Sequence, residues 1–192
     1  SLYFDTPTLD DYYDKAGGFL RRKKIRVRIY APYLINAILN PHTEIWLEKK
    51  EKYEMLVSKK RVCLTREDYD HLLYGSRLDL VQRYPLFLPL LTHGMRPTVM
   101  VRYLREPFVS SHQSNLRITF DSSIEAGKTH DLRFPPPMTF VAKNMVIMEV
   151  KFAHSLPFWF HRILQEFNLS RISFSKYTES METLSSYHPI PR

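Results

Sequence analysis

Alternation of apolar and charged side chains constrains the fold of this chain more than any other feature. In residues 24–30, KIRVRIY, the basic residues and tyrosine share one parity, and isoleucine and valine share the other. Successive side chains of a β-strand point to opposite faces. The segment therefore predicts a strand with one apolar face and one cationic face.

The same pattern recurs along the chain, and the charged parity is strongly biased toward Arg and Lys. A solvent-exposed strand face usually mixes both signs of charge. We therefore predict an α+β fold in which the strands close into an antiparallel barrel, with cationic faces inward and apolar faces outward under helices at 66–74 and 156–167. The further strand segments are 44–50, 54–65, 97–109, 115–124 and 144–153.

Several helical segments and loops can be placed from their end signals. Thr65 and Asp68 have the spacing of a capping box at the start of helix 66–74, and Gly75 follows its end. Ser155 is the expected N-cap of an amphipathic helix over 155–168. A helical turn ends at Gly17–Gly18, residues 31–43 read as a loop, and 78–92 as short helices broken by prolines. Residues 1–192 show no linker or repeat, which favours a single domain.

Charge and cysteine content narrow the classes of partner. The net charge is +8, so an anionic partner is expected, namely nucleic acid, a phosphate compound or an acidic membrane surface. Placement of the cations inside a barrel argues against nucleic acid, which needs an open face. The chain has one cysteine, Cys63, and lacks an apolar run long enough to span a membrane. We predict a cytoplasmic protein, leaving membrane association through a partner open and protein partners unspecified.

A barrel interior lined with cations is self-repulsive unless an anion fills it. Linear polyphosphate, which is long, thin and densely charged, suits such an interior, because Arg offers forked donors and Lys point charges to phosphate oxygens. Interior carboxylates such as Glu149 and Glu48 would then hold Mg²⁺ or Mn²⁺, which prefer oxygen ligands.

Eight short motifs, in this order, resemble the VTC domain, the polyphosphate polymerase branch of the triphosphate tunnel metalloenzymes. They are YFDTP, IRVRIY, LEKK, SKKRV, VRYLREPF, LRITFD, IMEVKF and FSKY. The resemblance implies an antiparallel β-tunnel that binds a nucleoside triphosphate with a divalent metal, Mn²⁺ or Mg²⁺. It also implies transfer of the γ-phosphate of ATP onto a growing polyphosphate chain, with ATP and polyphosphate as partners and no specific nucleic acid.

The motifs also assign roles to individual residues. Glu149 corresponds to the metal-binding glutamate, and Glu48, Tyr103 and Asp121 have supporting roles. The family's first strand, which carries another lysine for the phosphates, has no counterpart here, so we expect that strand to be lacking. The residues implied in phosphate binding and catalysis are Arg26, Arg28, Lys50, Lys59, Arg61, Arg105, Arg117, Lys151, Ser175 and Lys176.

Three other functions remain open at this stage: hydrolysis of tripolyphosphate or a nucleoside triphosphate, non-catalytic binding of polyphosphate or an inositol phosphate, and nucleic-acid binding. A phosphate acceptor is already ionised near neutral pH, so a polymerase needs no general base, whereas a hydrolase benefits from a carboxylate that positions water. The basic lining therefore favours transfer. Glu149 has an alternative role as an ion-pair partner of a neighbouring lysine. Phe158, Trp159 and Phe160 are expected to pack the covering helix, with contact to a protein partner or a membrane as the alternative.

Overall fold

The computed structural model describes residues 1–31, 38, 40–54, 56–110, 116–153 and 155–187. Within these ranges, eight strands form one antiparallel sheet, accompanied by six α-helices. The strands are β1 Leu2–Asp5, β2 Arg21–Arg28, β3 Ile45–Tyr53, β4 Leu56–Leu64, β5 Arg96–Val109, β6 Arg117–Gly127, β7 Thr139–Phe140 and β8 Ile147–Lys151. The helices are α1 Asp10–Ala16, α2 Arg66–Tyr74, α3 Arg77–Arg83, α4 Leu88–Thr92, α5 Phe158–Glu166 and α6 Lys176–Tyr187, with a 3-10 turn at Pro85–Phe87.

The predicted α+β class is confirmed, but the predicted closed barrel is wrong. The strand order is β4-β3-β2-β1-β5-β6, and both β7 and β8 pair with β6. Among the described residues, no ladder joins β4 to β8, so the sheet stays open between these edges. Alternation within a strand determines which face is polar, but it carries no information on whether the first and last strands meet.

The open sheet is nevertheless strongly curled. A flat sheet would hold β3 and β8 about 24 Å apart, given a spacing of about 4.8 Å between neighbouring strands. Instead, the charges of Glu149 and Lys151 on β8 act on the pKa of Lys50 on β3. We call the concave face of this sheet the trough; it carries Arg26, Glu48 and the other charged residues of matching parity.

Apolar residues on the convex face of β1–β4 form the main core, as predicted. Helices α2 to α4 and the 3-10 turn cover this face, and the capping box of Thr65 and Asp68 is confirmed at the start of α2. Each end of the helix falls where the sequence indicated, with Gly75 immediately after Tyr74. The buried members include Leu2, Phe4, Ile25, Val27, Leu47, Leu72, Leu80, Phe87 and Leu90.

The second predicted cover helix differs from expectation. Helix α5 begins at Phe158 after Pro157, so the predicted N-cap at Ser155 is wrong. Only Phe160 of this helix is buried, whereas Phe158 is 79% exposed and Trp159 48%. The predicted packing role of these two aromatics is therefore wrong, because an amphipathic pattern shows that a helix has an apolar face but not which surface covers that face.

Helix α6, which the sequence did not indicate, packs on the trough side of the sheet. The Tyr177 ring stacks on Tyr3 of β1 with 5.2 Å between centroids, and Met181 joins the same buried cluster. The Tyr177 hydroxyl donates to the buried carboxylate of Asp5. This contact brings the start of α6 against the trough.

Two smaller differences concern strand and loop boundaries. Strand β2 begins at Arg21, three residues before the predicted start at Lys24. Most of the loop predicted for 31–43 lies outside the described residues, at 32–37 and 39. None of the helices in the described ranges combines the length and the apolar character needed to cross a bilayer.

Candidate functional site

Strands β2, β3 and β4 form one wall of the trough, and their register brings the predicted basic residues together. Arg26 lies opposite Glu48, which in turn lies opposite Arg61. One pair further along, Lys24, Lys50 and Lys59 form the next row. Directly paired residues of an antiparallel sheet share a face, so this wall presents rows of cations to the trough.

Glu48 is the centre of this wall and is almost completely buried. Its Oε2 accepts from Arg26 Nε at 2.8 Å, and Lys59 Nζ lies 3.0 Å from Oε1. Arg28 Nη1 is 3.7 Å from the same carboxylate. Burial opposes ionisation, but the surrounding cations prevail and lower the pKa of Glu48 to about 2. One permanently charged carboxylate thus orients several cations and leaves the wall with excess positive charge.

Tyrosine hydroxyls hold the two arginines in place. Arg26 Nη1 donates to Tyr3 at 2.9 Å, and Arg28 Nη2 donates to Tyr103 at 3.1 Å. Burial tends to raise the pKa of Tyr3, but Arg26, Arg28 and Lys24 together lower it below the usual range. The supporting role predicted for Tyr103 is consistent with this contact, and its ring also lies 5.3 Å from the guanidinium of Arg105.

The opposite wall is built around a second buried carboxylate, Asp121 of β6. Arg105 binds it through two hydrogen bonds, 2.6 Å from Nε and 2.7 Å from Nη2. Lys176 at the start of α6 adds a contact of 2.6 Å. Burial opposes ionisation of Asp121, but the hydrogen bonds from Arg105 and Lys176 lower its pKa. Asp121 is therefore committed to these two cations.

Glu149, the predicted metal ligand, is the most accessible carboxylate of the trough. Its side chain is 44% exposed, 3.3 Å from Lys151 Nζ and 3.5 Å from Arg105 Nη2. Burial opposes ionisation, yet Lys151 and Arg105 lower the pKa of Glu149. Arg117 lies opposite Lys151 in the β6–β8 register and is exposed. Both alternatives from the sequence, ion-pair partner and metal ligand, are compatible with this geometry.

A divalent metal fits beside Glu149 only if most of its ligands come from phosphate or water. Within the described residues, no three His, Cys, Asp or Glu side chains form a metal-binding group. However, Thr119 pairs directly with Glu149, and its buried Oγ1 lacks a hydrogen-bond partner. Mg²⁺ commonly uses one or two protein carboxylates together with substrate phosphates. Glu149 and the unpaired Thr119 hydroxyl suit that arrangement.

Lys24 belongs to this site but was absent from the residues that the family motifs implied. Its ammonium donates to Ser175 Oγ, immediately before α6, and lies 5.4 Å from the Tyr177 ring centroid. Burial lowers the pKa of Lys24 to about 8. The signal for Lys24 was present in its parity with Arg26 and Arg28, but its enclosure depends on α6, which the sequence did not reveal.

Lys50 and Arg61 complete the β3–β4 part of the wall. Lys50 is open to solvent along part of its side chain. Partial burial nevertheless lowers the pKa of its ammonium, although the charge of Glu149 opposes the shift. Arg61 lies over the ring of Trp46, with 4.3 Å from its guanidinium carbon to the ring centroid. The predicted residues of β2–β6, β8 and α6 thus share one concave face, with Arg117 and Lys151 in its most exposed part.

Comparison with known proteins gives a single assignment. No curated protein sequence matches the chain significantly. The family model of the VTC domain matches residues 1–185, which is nearly the whole chain. The resemblance seen in the motifs is therefore confirmed, and the chain belongs to the VTC domain family.

Proposed function

We propose that this chain is a metal-dependent phosphotransferase that moves the γ-phosphate of ATP onto a growing polyphosphate chain held in the trough. Membership of the VTC domain family, which is associated with polyphosphate polymerases, supports the proposal. The observation that carries it is a concave face rich in Arg and Lys, whose buried carboxylates Glu48 and Asp121 are both occupied by cations.

Transfer of a phosphoryl group between two phosphates requires mainly that the enzyme position donor and acceptor and stabilise the negative charge of the transition state. The terminal phosphate oxygen of the acceptor is ionised at neutral pH, so no residue has to remove a proton. The main barrier to approach is repulsion between donor and acceptor. Arg26, Arg28, Lys50 and Lys59 offset this repulsion, and the arginines, held by Glu48 and tyrosines, require little reorganisation when a phosphate arrives.

Arg105 and Lys176 play the equivalent part on the other wall, and Lys151, Arg117 and Ser175 extend the cationic and hydrogen-bonding surface. Glu149 with Thr119 would hold Mn²⁺ or Mg²⁺. Such an ion would supply positive charge that stabilises the negative charge developing on the phosphate oxygens during transfer. Glu149 is placed for this role because it is half-exposed, whereas Glu48 and Asp121 are committed to cations.

The same contacts favour transfer to phosphate over hydrolysis. A hydrolase needs an ordered water, and a carboxylate that positions it increases the rate. Glu48 is buried beneath Arg26, Arg28 and Lys59, and Asp121 is buried beneath Arg105 and Lys176, so neither carboxylate is open to water in the trough.

The test is incubation with ATP and Mn²⁺, followed by gel electrophoresis with a polyphosphate stain. Wild type should give a polymer ladder, and Glu149→Ala should give none while keeping the wild-type circular dichroism spectrum. Lys59 and Lys60 provide a matched pair, because they are adjacent on β4 and point to opposite faces. Lys59→Ala should lower polymer yield, whereas Lys60→Ala should match wild type.

Release of free phosphate without polymer would refute the polymerase in favour of hydrolysis. Tight binding of tripolyphosphate without turnover would instead indicate a binding module. Binding of duplex DNA with a steep salt dependence, and with no preference for polyphosphate, would contradict the proposal in favour of nucleic-acid binding.

A further inference from the structure

The two ends of the β2–β4 wall differ in chemistry. At one end the trough parity carries four cations, namely Arg22, Lys24, Lys50 and Lys52, beside a single apolar residue, Val57 of β4. At the other end it carries Trp46 and Arg61, and Tyr30 follows β2 there with 57% of its surface exposed. Cationic side chains are sufficient to bind phosphate, whereas aromatic and guanidinium groups stack on planar rings. The asymmetry therefore suggests a ligand with an anionic part and a planar part.

Trp46 is fixed in position and partly open. Its indole N–H donates to Glu44 Oε2 at 3.2 Å, and the Arg61 guanidinium lies 4.3 Å from its ring centroid. Trp46 lies directly opposite Arg28 of β2, next to the phosphate-binding row. The platform is thus continuous with the residues that would hold a triphosphate.

Arg61 is exposed, and no described carboxylate makes an ion pair with it. Its cross-strand neighbour Glu48 is occupied by Arg26, Arg28 and Lys59. The Arg61 guanidinium therefore presents a free planar face and free donors to the trough. A stack that only held the edge strand in place would not need these groups to be free.

We propose that the stack of Trp46 and Arg61 is a nucleobase platform. A nucleoside triphosphate binds with its base on this stack and its triphosphate running along the wall toward Lys59 and Lys50. Trp46 and Lys50 are four residues apart on β3, about 13 Å, which is the reach of an extended nucleotide from its base to its γ-phosphate. This inference rests on the proposed function and adds the orientation of the donor.

The orientation has a direct consequence for the polymer. The γ-phosphate points away from the aromatic end, so the acceptor chain occupies the end that carries Lys24, Arg22 and Lys52. The nucleoside diphosphate that remains after transfer leaves from the Trp46 end. Donor exchange and polymer growth thus take place at opposite ends of the same wall.

Tryptophan fluorescence tests the platform directly, because the chain has two tryptophans, and Trp159 belongs to α5 and not to the β2–β4 wall. In a Trp159→Phe protein with Mg²⁺, ATP should quench the emission of Trp46, and tripolyphosphate should change it far less. Trp46→Leu should weaken ATP binding on the order of tenfold by calorimetry and leave tripolyphosphate binding within about twofold.

Tyr53→Leu is the matched control, since Tyr53 is an exposed aromatic of β3 on the opposite face, and both affinities should remain at wild-type values. Equal quenching by both ligands, or an equal loss of both affinities in Trp46→Leu, would overturn the platform. Tripolyphosphate binding without any ATP preference would leave the proposed function intact and refute this inference alone. Absence of binding for both ligands would refute the proposed function and the platform together. The fluorescence result needs no change at Trp46, so it decides the matter even if Trp46→Leu does not fold.

Discussion

Lys24 should make polyanion binding depend on pH in the mildly alkaline range. Its pKa in the free protein is lowered to about 8, chiefly by burial, whereas an ordinary lysine titrates near 10.4. A bound phosphate places negative charge beside the ammonium and raises its pKa again. Binding above pH 8 must therefore take up a proton, and affinity must fall as the pH rises.

The size of the effect follows from these values. If a bound polyanion restores the ordinary pKa of Lys24, affinity falls by about one decade per pH unit above 8, so tripolyphosphate should bind about tenfold more weakly at pH 9 than at pH 7. Folding stability changes in the opposite sense. Burying the protonated lysine destabilises the fold at pH values below the lowered pKa, and stability increases as the pH rises and the buried lysine loses its proton. Weaker binding at pH 9 is therefore not explained by unfolding.

Isothermal titration calorimetry of tripolyphosphate between pH 7 and pH 9.5 measures this slope. Lys24→Arg should flatten it, because arginine remains protonated throughout the range. Lys50 and Tyr3 also have lowered pKa values in the trough, so Lys50→Arg serves as the parallel variant. A flat wild-type profile, or an undiminished slope in Lys24→Arg, would refute the assignment to Lys24.

Three further predictions concern stability and can be measured by urea denaturation. Asp11 is buried beside Lys23, and burial raises the pKa of its carboxyl to about 7. Ionisation of Asp11 therefore destabilises the fold increasingly as the pH rises from about 4 to 7. Wild type should lose about 3 kcal/mol of stability from this source between pH 5 and pH 8, and Asp11→Asn should not show that loss. Asp121→Ala should cost about 3 kcal/mol, because it removes the buried partner of Lys176 and leaves Arg105 with only its longer contact to Glu149. Thr65→Ala should cost about 1 kcal/mol through loss of the α2 cap.

Each of these has a control and a contrary outcome. The same pH dependence in Asp11→Asn as in wild type would show that Asp11 does not titrate near neutrality. Lys151→Ala, an exposed pair member, should change stability by less than about 0.5 kcal/mol, and a loss equal to that of Asp121→Ala would contradict the importance of burial. Ser76 precedes α3 without a side-chain cap bond, so a cost in Ser76→Ala equal to that in Thr65→Ala would refute the capping argument.

Sequence periodicity was sufficient to predict which side chains of the β2–β4 wall face the trough and which face the core. The alternation in KIRVRIY assigned Ile25 and Val27 to the core and Arg26 to the opposite face, and all three lie there. The capping box at Thr65 was equally readable, because it depends on residues three positions apart. Local signals of this kind are independent of how the rest of the chain folds.

Features that depend on distant parts of the chain could not be predicted. Closure of the sheet depends on how β4 and β8 are placed relative to each other, and no pattern within either strand encodes that relation. The enclosure of Lys24 depends on Ser175 and Tyr177, about 150 residues away. The exposure of Phe158 depends on what α5 packs against, and its apolar pattern alone gave the wrong answer.

The bond from Tyr177 to Asp5 also has a consequence for the order of folding. It joins residues 172 positions apart, and Asp5 also binds the backbone N–H groups of Asp11 and Tyr12. Contacts of such long sequence separation form late, because the entropy of closing the loop must be met first. During synthesis, Lys176 cannot reach Asp121 until the chain through residue 176 has emerged from the ribosome. Shorter nascent chains therefore hold an incomplete site, and premature termination before α6 yields a protein without this contact.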